Sequence, residues 1–104
     1  MKRHRLAEER SIAMHRLVAL KLVDQPALVE AARARLESWR QSGAVPEIYL
    51  RGWERWLDLP PSERQAAMVD PSEEARALRQ NSPFAGALSP RERWNILRAI
   101  REAP

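Results

Sequence analysis

Asn81-Ser82-Pro83-Phe84-Ala85-Gly86-Ala87-Leu88-Ser89-Pro90-Arg91-Glu92-Arg93-Trp94 is the stretch on which the fold of this chain turns. It holds the only Phe, one of the three Gly and two of the eight Pro. Ser89 is a good N-cap residue, Pro90 suits the first helical position, and Glu92 follows Ser89 at the capping-box spacing. Trp94, Leu97 and Ile100 come next at helical spacing, so a last helix with one apolar face is expected. The segment before it, 81–88, is too apolar for a solvated turn and too broken by Pro83 and Gly86 for a helix. Such a loop either packs back on the core, with Phe84 and Leu88 as plugs, or meets a partner. A small-molecule site is the third use of it.

Working outward, the same start signals recur. Ser62 with Gln65, after Pro60-Pro61, and Asp70-Pro71-Ser72-Glu73 predict the starts of two short helices, the second over 71–80. Further upstream, Pro46 opens a predicted helix to Asp58 with a broad face of Tyr49, Leu50, Trp53, Trp56 and Leu57. Gly52 inside it costs about 1 kcal/mol relative to Ala and predicts a close approach, by another helix or by a partner backbone. A helix over 26–41 carries Val29, Ala32, Leu36 and Trp39 in a row, with Asp24 as N-cap and Gly43 as C-cap. Glu30, Arg33 and Glu37 are placed to pair along its exposed side. The first helix is expected over 6–23, with Leu6, Ala13, Leu17 and Leu20 in one row and Met14, Val18 and Leu22 widening it. No segment alternates as a strand. The expected fold is all-α, a compact bundle of five to six helices, some short. Residues 1–5 are expected to form a basic flexible N-terminal arm and 6–104 a single helical domain.

At 104 residues the chain can bury one modest core. No apolar run approaches the roughly 20 residues of a membrane span. The basic start lacks the apolar region of a secretory signal, so no membrane contact and a cytoplasmic location are expected. With no Cys, disulfides, thiol catalysis and Cys-based metal sites are excluded. The net charge of +4 is accounted for by residues 1–23 alone. Sixteen of the eighteen basic residues are Arg, whose planar fork suits carboxylate and phosphate.

No catalytic constellation is present. His4 and His15 would stand about 16 Å apart along a helix, too far to share a metal. His15 reads as a surface or helix-packing residue. Glu8-Glu9 and Glu73-Glu74 are sequence neighbours pointing about 100° apart. The serines lie mostly at caps, and three scattered glycines cannot cradle a phosphate. The expectation is a protein that is not an enzyme and uses no metal or cofactor. Trp39, Trp53, Trp56 and Trp94 all fall on apolar helical faces; one of Trp53 or Trp56 is a candidate for partial exposure at an interface.

Two resemblances follow from particular residues. Leu88-Ser89-Pro90-Arg91-Glu92-Arg93, with Ile96, Leu97 and Ile100, resembles the opening helix of a LuxR-type helix-turn-helix. The chain stops at Pro104 before any turn or recognition helix, so the likeness is read as shared capping grammar. A broader resemblance is to small helical antitoxin proteins of bacterial toxin–antitoxin pairs. It rests on His15-Arg16-Leu17-Val18-Ala19-Leu20-Lys21-Leu22, on Ala32-Arg33-Ala34-Arg35-Leu36 with Trp39, and on Leu78-Arg79-Gln80-Asn81-Ser82-Pro83-Phe84-Ala85-Gly86. Many antitoxins join a DNA-binding domain to a disordered neutralising tail, and this chain shows no disordered half. The resemblance implies a non-enzymatic protein that binds and silences a partner toxin encoded nearby, and represses its own operon. Phe84, Leu88, Arg91, Arg93 and Trp94 are the candidate partner-binding residues. Lys2, Arg3, Arg5, Arg10 and Arg16 are candidates for an acidic partner or nucleic acid. The rival expectation is a small nucleic-acid-binding regulator that uses the basic arm and first helix. The first helix also offers a seam for a homodimer.

Overall fold

A computed structural model describes residues 2–102, with side chains for 6–101. It is all-α: α1 spans Lys2–Asp24, α2 Pro26–Ser42, α3 Glu47–Leu57, α4 Pro61–Met68, α5 Glu73–Gln80 and α6 Pro90–Glu102. The described residues contain no strand. α1 is the longest helix and packs against α2, α4, α5 and α6, while α3 packs against α2, α4 and α5. Helix starts at the prolines and the stop at Gly43 follow from local chemistry. Gly43 adopts the left-handed conformation, φ 73°, and its N–H returns to the Trp39 carbonyl.

The predicted capping boxes fare differently. At α6 the box is complete: the Ser89 N–H donates to Glu92 Oε1 at 2.8 Å and the Glu92 N–H to Ser89 Oγ at 3.1 Å. At α5 the cap is Ser72, not Asp70; its Oγ accepts from the Ala75 N–H. Asp70 spends its carboxylate on the Ser72 N–H at 2.8 Å, a local turn that delays the helix by two residues. At α4 Ser62 lies inside the helix and Pro60 stands at the N-cap with no side-chain cap bond. A residue before proline is pushed to extended backbone, so Pro60 stays outside and Pro61 takes the first helical position. α2 likewise starts after Gln25 rather than Asp24.

The core gathers Val18, Ala19 and Leu22 from α1, Ala32 and Leu36 from α2, and Leu50, Trp53, Trp56 and Leu57 from α3. Met68 and, from the loop before α6, Phe84, Ala87 and Leu88 complete it. The core side of α1 is therefore displaced from the predicted row toward its widening set, with Val18 and Leu22 buried and Met14 and Leu17 packed against the core. Leu20 is half exposed, whereas His15, Val18, Ala19 and Leu22 face inward. α1 is apolar around most of its circumference in the second half, so spacing alone did not fix which stripe lies innermost.

Gly52 marks the α3–α5 crossing. A Cβ there would sit 2.8 Å from Leu78 Cδ2, so the glycine lets α5 approach. Across the α2–α3 junction, Arg40 reaches Glu54 at 2.7 Å, Glu47 at 3.0 Å and Glu37 at 3.0 Å. These bonds, Glu54 foremost, raise the Arg40 pKa further above its ordinary value, and Arg40 holds the Glu47 carboxyl below its own. Arg33 pairs with Asp58 across helices at 2.9 Å, in place of the expected partners on its own helix.

Candidate protein-binding surface on the last helix

The loop at 81–89 is built from the core outward. Trp53 Nε1 donates to the Leu78 and Asn81 carbonyls at 3.1 and 2.9 Å, which pins the end of α5 and the start of the loop. Phe84 then enters edge-on against Trp53 and Trp56, with ring centroids 5.3 and 5.7 Å away. Phe84 is 5% exposed and Leu88 is also buried, so both are core residues, not surface contacts. Pro83, Phe84, Ala87 and Leu88 fold inward because the aromatic cluster supplies more burial than any solvated turn would, while Ala85 and Gly86 stay exposed.

His15 holds the same loop from the other side. It is buried and stacks on Trp53 at 5.9 Å. Its Nδ1 lies 2.7 Å from the Ser11 carbonyl, which can only accept, so Nδ1 carries the proton and Nε2 accepts from Ser82 Oγ at 2.8 Å. Ser82 Oγ in turn accepts from the Phe84 N–H at 3.3 Å. Burial, with the Arg79 guanidinium as a smaller contributor, pulls the His15 pKa below its ordinary value, against a raising effect from the Ser11 bond. His15 thus belongs to the helix-packing half of its expected reading.

Two cations fasten α6. Lys21 Nζ donates to the Ala87 carbonyl at 2.7 Å and to Glu92 at 2.8 Å, so one ammonium ties α1 to the loop and to the capping box. The Lys21 contact, followed by the Ser89 backbone bond, holds the Glu92 carboxyl below the usual carboxylate range. Arg93 folds back, its Nη2 donating to the Ala85 carbonyl at 2.7 Å and its Nη1 lying 3.9 Å from Met14 Sδ. Arg93 is therefore a tether more than a contact.

What remains exposed is Arg91 and Trp94. Trp94 is 58% exposed, the reverse of its expected place on the apolar face with Leu97 and Ile100. Steps of three residues fall about 60° short of a full helical turn, so Trp94 stands about 120° from Ile100. That drift places it in the stripe Arg91–Trp94–Arg98–Arg101, all exposed, spaced at three- and four-residue steps. Trp53 and Trp56 are both buried, so the exposed tryptophan is on α6 and not on α3.

The basic group of α1 is not assembled as one patch among the described side chains. Arg16 is exposed, whereas Arg10 is half-buried against a cavity. The side chains of Lys2, Arg3 and Arg5 lie outside the described residues, though the backbone there is already helical. Among the described residues no cluster of three metal-ligating side chains occurs, and no helix is long and apolar enough to cross a membrane.

Sequence reasoning missed the burial of Arg79. It is 5% exposed and donates from Nη1 to the Met68 and Asp70 carbonyls at 2.9 and 3.0 Å. A signal existed: Arg79 is four residues from Ala75 and adjacent to Leu78, on the inner side of α5. Comparison of the chain with family models, curated proteins and solved structures gives no match.

Proposed function

We propose that this chain is a non-enzymatic interaction protein that masks an acidic surface of a partner protein with the outward stripe of α6. The observation that carries the reading is Trp94, a large apolar side chain left in water at the centre of a stripe containing Arg91, Arg98 and Arg101. Trp and Arg are the residues most enriched at interface hot spots, and leaving Trp94 hydrated forgoes the gain from its burial. Glu92, on the same helix, is engaged by Lys21 and does not offset the stripe's charge. The antitoxin resemblance gives this reading its biological form: a toxin neutralised by stoichiometric binding. Antitoxin-like is the form we propose.

The test is co-purification of the full chain from its own host cells after nuclease treatment, with mass spectrometry of what remains bound. A stoichiometric protein is expected. Trp94→Ala is expected to weaken that complex at least about thirtyfold, and Arg91→Glu to slow its association, with neither lowering the melting temperature. A chain that emerges without a protein, having carried nucleic acid before nuclease, overturns the proposal in favour of a regulator. That rival would show affinity falling steeply with salt as phosphate counterions are released, and would draw on Arg10 and Arg16.

A further inference from the structure

A cavity of about 470 Å³ opens between the first half of α1, the end of α5, the loop at 81–89 and the start of α6. Its size lies within the roughly 300–1,000 Å³ of small-molecule sites. Its wall combines two chemistries. Arg10, Arg79 and Arg93 bring three guanidinium groups, and no Asp or Glu lines it. Met14, Phe84 and Leu88 supply an apolar side. His15 also lines it, but both of its ring nitrogens are already engaged.

The guanidinium donors are incompletely satisfied. Arg79 Nη2 and Arg10 Nε are buried without a hydrogen-bond partner. The nearest acid to Arg79 Nη2 is Glu8, at 3.7 Å, an ion pair too long to be a hydrogen bond. Arg93 Nη1 has only the thioether of Met14 at 3.9 Å. Buried donors without acceptors are costly, and a charged donor more so. Burial lowers the Arg79 pKa, with Glu8 and Asp70 acting the other way. The cavity wall thus joins guanidinium-bearing side chains from three helices to an apolar surface.

We infer that the cavity binds an amphiphilic anion, with a carboxylate or phosphate head among Arg10, Arg79 and Arg93 and an apolar body against Met14, Phe84 and Leu88. Guanidinium forks hold either head in bidentate fashion. The site is separate from the outward stripe of α6, so it stands or falls independently of the partner reading.

The experiment is thermal denaturation and titration calorimetry of the full chain with octanoate, octyl phosphate, octylammonium, acetate and inorganic phosphate, below micellar concentrations. Octanoate or octyl phosphate is expected to raise the melting temperature saturably, the stronger of the two identifying the head. Octylammonium, acetate and inorganic phosphate are expected to leave it unchanged. Arg10→Met is expected to weaken binding about ten- to a hundredfold without lowering the melting temperature of the free chain, because Nε has no partner to lose. Ala7→Phe, on the exposed lip of the cavity, fills the space without changing charge and is expected to abolish binding. The inference is overturned if neither anion binds, if octylammonium stabilises equally, or if either variant folds and binds like the parent chain.

Discussion

At the scale of single residues, His15 sets a pH dependence. It is neutral in the fold, donating from Nδ1 to Ser11 and accepting at Nε2 from Ser82. Protonation would turn Nε2 into a donor facing a hydroxyl that now donates to it, and would add a cation near Arg79. Because the folded pKa is depressed, the unfolded chain binds the proton more readily. Stability is therefore full above the unfolded value of about 6.5 and falls as pH drops from there toward the folded value. Thermal melts at pH values of about 7.5 and 5.5 should differ for the parent chain and differ less for His15→Gln. An equal acid-induced drop in both would remove His15 as the cause. Glu92 and Glu47, both depressed by their cationic partners, lose their contribution only below about pH 4.3, so the two windows separate.

At the scale of helices, the α3–α5 crossing depends on a missing side chain. Ala at position 52 gains about 1 kcal/mol of helix propensity. It also forces Leu78 Cδ2 away from a 2.8 Å approach, which a rotamer change of one flexible side chain can accommodate. Gly52→Ala is thus expected to be close to neutral, and Gly52→Val to destabilise by about 1–3 kcal/mol through overpacking. Urea titration checks both; a Val variant as stable as the Ala one would mean that the crossing is not tight. Gly52 shows what spacing can reveal: an expensive glycine in a helix announced a close approach, though not which helix made it. The helices themselves were legible because proline starts and the Gly43 stop act through backbone chemistry within a few residues. The caps at α4 and α5 were not, since Pro60-Pro61 and the Asp70 turn each offered two local solutions. The candidate surface was half legible. Arg91 and Trp94 were singled out, but Phe84 and Leu88 are drawn inward by Trp53 and Trp56, partners some thirty residues away in sequence. Trp94's outward position was contained in its spacing and misread by following three-residue steps.

At the scale of the whole molecule, the packing is uneven. Among the described residues, α6 is the one helix whose only helical neighbour is α1. Its Ile96 touches the core, whereas Leu97 and Ile100 are half-buried and lie outside the core cluster. Two of its attachments, Lys21 to Glu92 and Arg93 to Ala85, lie in the first turn. Local opening follows sparse packing. Amide hydrogen exchange is expected to be markedly faster in the second half of α6 than in α3, with the first turn of α6 in between. Exchange of α6 at the global unfolding rate would show instead that α6 is fully part of the cooperative core.

The four tryptophans divide unevenly between inside and outside, and that division gives the molecule two optical windows. Trp53 and Trp56 are sealed in the core beside Phe84, and Trp39 is partly covered, while Trp94 stands in water. Emission from the sealed pair should be blue and shielded from iodide; emission from Trp94 should be red and readily quenched. An occupant of the cavity, whose wall includes the His15 ring stacked on Trp53, would act on the first signal. A partner seated on α6 would act on the second. Quenching of the unlabelled chain can therefore distinguish which of its two surfaces has been engaged.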